Sequence, residues 1–92
     1  TDKGMSRKDR ATIQTMIQDI AHVQGAHRIR SRKIGGAFYL DLHLEVDGRM
    51  SVHQGHDIAE TVKQAVMVRY PKIIDVMVHL EPSKEKPGIK PG

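Results

Sequence analysis

Residues 37–47 clearly alternate apolar and polar side chains, and this alternation limits the choice of fold more than any other feature of the chain. The apolar members are Phe38, Leu40, Leu42, Leu44 and Val46, and the polar members include Tyr39, Asp41, His43 and Glu45. Successive side chains of a β-strand project from opposite faces of a sheet. The pattern therefore predicts a strand with one buried face and one polar face, and the burial fixes its register.

A first amphipathic helix is expected from Arg7 to His22. Ser6 precedes it as an N-cap, and Gly25 is expected to end it. Apolar residues recur at helical spacing at Ile13, Met16, Ile17 and Ile20. We expect that side of the helix to pack on the apolar face of the sheet.

A second helix is expected to begin at Ser51, because Gln54 lies three residues further on and can complete a capping box. It is expected to stop at Tyr70, since Pro71 disfavours helical geometry at the residue before it. Its predicted apolar side comprises Val52, Ile58, Ala59, Val62, Ala65 and Val66.

Two further strands are predicted, at 26–33 and 74–81. In the first, the cations Arg28, Arg30 and Arg32 alternate with other residues, and a Gly-Gly turn at 35–36 follows. The apolar face of the second carries Ile74, Val76, Val78 and Leu80. The order αββαβ predicts an α+β fold, a ferredoxin-like open-faced sandwich whose three-stranded mixed sheet carries both helices on one face.

The chain has 92 residues, which suffice for one domain and not for two. We expect the domain at 6–82, with linker remnant at 1–5 and a flexible, proline-rich tail at 83–92. The absence of cysteine excludes disulfides, thiolate metal sites and cysteine nucleophiles. No stretch approaches the roughly 20 apolar residues of a membrane span, so the chain as given is expected to be soluble.

The polar face of the sheet is predicted to carry a metal site. Asp41, His43 and Glu45 project from one strand, and His79 and Glu81 project the same way from another. Imidazoles and carboxylates with this spacing on neighbouring strands can converge on one divalent cation. A solvated polar face would carry the same residue types, so the prediction depends on the convergence of at least three ligands.

Whether His27 joins this site depends on the register of the hairpin, and two registers are open. A two-residue turn at 35–36 places His27 beside Leu44 on the apolar face and buries Ile29. A three-residue bulged loop sets His27 directly opposite His43. The hydrophobic pattern mildly favours the first register, since it improves the core.

Two more histidines lie on the second helix. His53 and Asp57 are four residues apart and share a helical face, but a first-turn position such as His53 is typically solvated. His56 interrupts the amphipathic pattern beside its apolar edge. We expect His56 either to be partly buried and hydrogen-bonded or to point at something outside the monomer.

Four blocks of sequence, taken together, resemble the cytoplasmic C-terminal domain of cation diffusion facilitator metal transporters. They are GAHRIRSR at 25–32, DLHLEV at 41–46, SVHQGHDIA at 51–59 and DVMVHLEP at 75–82. The resemblance extends from about Ser6 to Pro82. It implies a metallochaperone-like domain that forms a homodimer below the membrane and binds divalent metal between its protomers.

Carried over by position, the family's metal ligands fall on His27, His43, His56, His79 and Glu81. His56 of one subunit would complete a site on the sheet of the other. The residues themselves add His53, Asp57 and Glu45 as further candidate ligands. The implied ion is Zn²⁺, with Cd²⁺, Co²⁺, Ni²⁺, Mn²⁺ or Fe²⁺ as alternatives. The implied partner is a membrane domain, absent from this chain, that exports the cation in exchange for protons.

The main alternative is a nucleic-acid-binding module. The cations Arg28, Arg30, Arg32 and Lys33 could contact phosphates, and the chain carries 15 Lys and Arg against 11 Asp and Glu. Few aromatic residues and an acidic polar face argue against it, so no nucleic acid is expected as a partner. No nucleophile motif or metalloprotease motif occurs, and the chain is expected not to be an enzyme.

Overall fold

Two helices and three strands follow one another in the order αββαβ in the computed structural model, which describes residues 4–84. They are α1 (Arg7–Gln18), β1 (Gly25–Ile34), β2 (Ala37–Val46), α2 (Val52–Arg69) and β3 (Ile73–Pro82). The end segments predicted at 1–5 and 83–92 lie mostly outside the described residues. Within the described part, the amide of Met5 donates to Ser31 Oγ, 2.6 Å away, and the amide of Ser83 donates to the Val46 carbonyl, 2.8 Å away.

The three strands form one mixed sheet in the order β1-β2-β3. β2 is antiparallel to β1 and parallel to β3, so α2 serves as the crossover connection. The core consists of Ile13, Ile17, Ala26, Leu40, Leu42, Leu44, Val46, Val62, Val66, Ile73 and Val76. Both helices contribute to this core from one side of the sheet, which confirms the predicted α+β sandwich. No helix in the part of the chain that the structure describes is both long and apolar enough to cross a membrane.

Helix α1 is shorter than predicted. It ends at Gln18 with Asp19 as its C-cap, whereas the sequence pattern extended it to His22. The backbone at His22 has a φ of 72°, in the left-handed region that an α-helix cannot contain. His22 therefore lies in the loop beyond the helix, and Gly25 begins β1 rather than ending α1.

Helix α2 begins and ends as predicted, with a complete capping box between Ser51 and Gln54 and with Tyr70 as its C-cap. The prediction that Val52 belongs to its apolar side is wrong, because Val52 is 91% exposed. At the first position of the helix, Val52 precedes the part of α2 that packs on the core through Val62 and Val66.

A β-bulge in β1 resolves the two hairpin registers, since each holds for one part of the strand. Near the turn, Ile34 pairs with Ala37, as the two-residue turn predicts. Arg28 and the residue after it then lie opposite a single residue of β2, and beyond this bulge His27 pairs with His43. Arg28 has a φ of 51°, which accommodates the extra residue. The preference for placing His27 on the apolar face is therefore wrong.

A second irregularity shifts the pairing of β3 against β2. Phe38 pairs with Ile73, and Tyr39 pairs with Asp75, so Ile74 is an extra residue in the ladder. Ile73 is buried in the core as a result, while Ile74 is 49% exposed. The prediction that Ile74 lies on the buried face of the third strand is therefore wrong, whereas the burial of Val76 is as predicted.

Candidate metal centre

Three histidines form one row across the sheet on the face opposite the helices. His27, His43 and His79 are directly paired neighbours on β1, β2 and β3. The ring centroids of His27 and His43 are 5.9 Å apart, and those of His43 and His79 are 4.8 Å apart, with interplanar angles of 13° and 17°. The three rings thus stand nearly parallel, and the bulge at Arg28 is what brings the first of them into the row.

Glu81 connects two of these histidines. His43 Nδ1 donates a hydrogen bond to Glu81 Oε2, and His27 Nε2 lies 3.3 Å from Glu81 Oε1. The hydrogen bond from His43, followed by the attraction of the two imidazoles, lowers the pKa of the Glu81 carboxyl below its ordinary value. Glu81 is therefore an ionised acceptor at neutral pH, in contact with both imidazoles.

A second carboxylate lies directly opposite Glu81 in the sheet. Glu45 pairs with Glu81 across β2 and β3 and with Gly25 across β1 and β2. A Cβ at position 25 would lie 2.6 Å from Glu45 Oε1, so a larger residue there would displace this carboxylate from its present position. Like charges placed directly opposite each other destabilise a sheet, and a cation beside them would relieve the repulsion.

The atoms of this cluster lie close enough together that they could hold a divalent cation. Ligand atoms of His27, His43 and Glu81 all lie within 4.8 Å of one another, and they form the one such group of three or more among residues 4–84. Two ligands of a tetrahedral zinc ion are about 3.3–3.6 Å apart, given metal–ligand bonds of about 2.0–2.2 Å. The separation of 3.3 Å between His27 Nε2 and Glu81 Oε1 matches that spacing. The three side chains are between 23% and 38% exposed, so an ion can reach them from solvent.

His79 belongs to the row but not to this group of three. Its Nε2 atom lies 4.0 Å from Asp41 Oδ2, on the side of the row away from Glu81. Asp41 was noted on the polar face in the sequence but was not among the predicted ligands. The strict alternation of β2 is the signal that places it two residues from His43, on the same face.

The candidate ligands of α2 lie elsewhere in the molecule. His53 is exposed and pairs with Asp57 at 3.4 Å between Nε2 and Oδ2. His56 is exposed as well, on a helix that covers the opposite face of the sheet. None of the three residues approaches the row of histidines within one chain. The prediction that His56 contributes to a site therefore needs a second copy of the chain.

The arrangement so far is a small α+β domain with a histidine and glutamate cluster on an open sheet face. A model of the family described as the cytoplasmic domain of cation efflux proteins matches residues 5–83. The chain belongs to this family. The matched segment includes every helix and strand of the structure and all the residues of the cluster.

Two curated proteins illustrate how this cation efflux domain relates to longer chains. The cation-efflux pump FieF of Klebsiella pneumoniae is 32% identical over 91 residues, which are 99% of this chain and 30% of the pump. Metal tolerance protein C1 of Arabidopsis thaliana is 36% identical over 70 residues, which are 76% of this chain and 15% of that protein. The chain thus spans less than a third of the length of these relatives.

A solved structure shares both the fold and part of the sequence. The metal-bound C-terminal domain of the CzcD transporter from Thermotoga maritima is 28% identical and superposes with a TM-score of 0.76. The superposition covers 88% of this chain and 98% of that one. The resemblance to cation diffusion facilitator domains is therefore confirmed, and so is the fold that it implied.

Proposed function

We propose that this chain is the metal-sensing, dimerising regulatory domain of a transporter that exports Zn²⁺ or a similar divalent cation in exchange for protons. The observation that carries the proposal is the convergence of His27, His43 and Glu81 on an open sheet face. The similar structure of the CzcD domain, which is a metal-bound transporter domain, supports it. In this proposal the domain acts by binding, without catalysis, and a transport domain precedes it in the chain.

A second copy of the chain is part of the proposal because the cluster supplies only three ligands. Tetrahedral zinc takes four ligands, so one position stays open to another donor. His56 projects from the opposite side of the sheet, where a partner subunit can use it. A cation held by both subunits binds the closed dimer better than the open dimer. That difference in affinity is what can bias an attached transport domain.

We expect Zn²⁺ to bind the chain in the micromolar range and to compact a dimer. Small-angle scattering and sedimentation, each with Zn²⁺ and with EDTA, test this directly. His56→Ala is expected to keep the ligands of the sheet but to remove the compaction, because it removes only the donor from the partner. His53→Ala is the matched control on the same helix and is expected to behave like the natural chain. Failure of Zn²⁺ to bind or to change the dimer contradicts the proposal.

The metal affinity is expected to fall as the pH is lowered. Coordination needs neutral imidazoles, which take up protons near an ordinary histidine pKa of about 6.5. The pKa of Glu81 is lowered, so its carboxylate stays ionised over the same range and does not contribute to the fall. Between about pH 7.5 and about pH 5.5, calorimetry should show Zn²⁺ binding weakened by about tenfold to 100-fold. Constant affinity across this range would mean that imidazoles are not the ligands.

A further inference from the structure

The hairpin between β1 and β2 ends in a projecting tip that combines an apolar side chain with cations. Ile34 is 57% exposed at the end of β1, although isoleucine is among the residues most often buried. A Cβ added at Gly35 or at Gly36 would meet no atom within 4 Å, so the turn stands clear of the rest of the molecule. Arg32 and Lys33 precede Ile34 and are exposed. We call residues 32–36 the hairpin tip.

Other cations lie at the same end of the sheet. The Lys72 carbonyl accepts a hydrogen bond from the amide of Phe38, which places Lys72 beside the start of β2. Arg69, at the end of α2, is close by in the chain and is also exposed. Within residues 4–84, no ion pair joins Arg32, Lys33, Arg69 or Lys72 to a carboxylate. The charge at this end is therefore not compensated by any carboxylate of the part of the chain that the structure describes.

The acids are distributed differently. Asp75, near this end of β3, is held by Lys63 at 3.0 Å and is not available to the cations of the tip. Glu45, Asp47 and Glu81 lie at the other end of β2 and β3. One end of the sheet is thus acidic and carries the candidate metal centre. The opposite end is basic and carries the exposed apolar side chain of Ile34 at the hairpin tip.

We propose that the hairpin tip docks on the surface of a lipid bilayer that carries anionic head groups. Cations next to an anionic bilayer gain attraction, and an apolar side chain gains by entering the boundary of the acyl chains. The tip supplies both, with Arg32 and Lys33 directly beside Ile34. The amide of Met5 bonds to Ser31 at the same end, so a preceding transport domain, as proposed above, would bring this end toward the membrane.

Nucleic acid fits this end less well. Non-specific binding of single strands relies on aromatic rings that stack on bases. Lys33 Nζ lies 5.9 Å from the centroid of the Phe38 ring, and the Arg69 guanidinium lies 4.7 Å from that of Tyr70. The rings of Phe38 and Tyr70 are thus covered by cations, which leaves Tyr39, opposite Arg32, as a single further ring at this end. The side chain at the point of the tip is aliphatic.

The test is sedimentation of the 92-residue chain with lipid vesicles in excess EDTA, so that its result does not depend on the metal site. We expect binding to phosphatidylcholine vesicles that contain about one quarter phosphatidylglycerol and little binding to phosphatidylcholine alone. The double variant Arg32→Gln/Lys33→Gln should bind about 25-fold more weakly, at about fivefold for each cation. Ile34→Ser, which leaves the charge intact, should bind about tenfold more weakly.

The matched control is Arg49→Gln/Lys84→Gln, which removes the same charge at the acidic end and should bind within about twofold of the natural chain. Circular dichroism of each variant verifies folding. If this control weakened vesicle binding as much as the tip variant does, net charge alone would determine binding and the proposal would be overturned. So would equal binding to both vesicle types, or tip-dependent binding to an RNA oligonucleotide without binding to vesicles. Loss of vesicle binding leaves the metal-sensing proposal standing, because no metal is present.

Discussion

His43→Ala is expected to weaken Zn²⁺ binding by about 100-fold or more, the largest functional effect of any single substitution that we predict. His43 is the middle member of the histidine row and the hydrogen-bond donor to Glu81. Its removal takes away one ligand and also releases the carboxylate that the imidazole holds in place. Isothermal titration calorimetry with Zn²⁺ at neutral pH measures the change.

The variant His79→Ala tests whether the third histidine of the row contributes to metal binding as His43 does. His79 stacks on His43 but lies near Asp41 rather than Glu81, so we expect its removal to weaken Zn²⁺ binding by less than His43→Ala does. The exposed His22 is a control outside both groups, and His22→Ala should leave the affinity unchanged. If His43→Ala retained the natural affinity, the proposed metal centre would be wrong, whatever the effect of the other variants.

Leu44→Ala is expected to lower the free energy of unfolding by about 3 kcal/mol, within the usual range of about 2–5 kcal/mol for a fully buried leucine. Leu44 is 0% exposed in the centre of the core. The substitution removes the favourable transfer free energy of the deleted methyl groups. In addition, the close-packed surroundings cannot fully close the resulting cavity. Urea denaturation of the metal-free chain, with an unchanged slope, measures the loss. A domain of this size has only about 5–15 kcal/mol to lose.

Leu80→Ala is a matched control for this substitution, because Leu80 is paired with Leu44 across β2 and β3. It makes the same chemical change on the same face, but Leu80 is 43% exposed. We expect a loss of about 1 kcal/mol or less, since much of this side chain is already in contact with water. Equal losses for the two variants would contradict the burial that the structure assigns to this pair.

Much of the fold could be predicted from the sequence, because the decisive signals are local. The alternation of β2 fixes which of its residues are buried, from Leu40 to Val46. The capping box at Ser51 and the proline after Tyr70 mark both ends of α2. The same alternation is also why His43 and Glu81 could be predicted to share the polar face.

The errors fall where one extra residue or one unusual backbone angle changes the pattern. Arg28 and His22 adopt positive φ values, and neither is a glycine, the residue that adopts this conformation most readily. Ile74 could not be told from Ile73 by hydrophobicity, and only the pairing with β2 decides which one is buried. These features arise from contacts between distant segments, which local sequence patterns do not encode.

The bulge at Arg28 makes the length of β1 more important than its composition. The turn fixes the pairing of Ile34, and the residues between the turn and His27 determine which face His27 occupies. Gaining one residue in this interval, with the bulge kept, would move His27 to the apolar face. Losing one residue, Arg28 for example, can instead remove the bulge and restore a regular ladder in which His27 still opposes His43. A lineage that carries this domain can therefore exchange side chains along the strand far more freely than it can insert a residue.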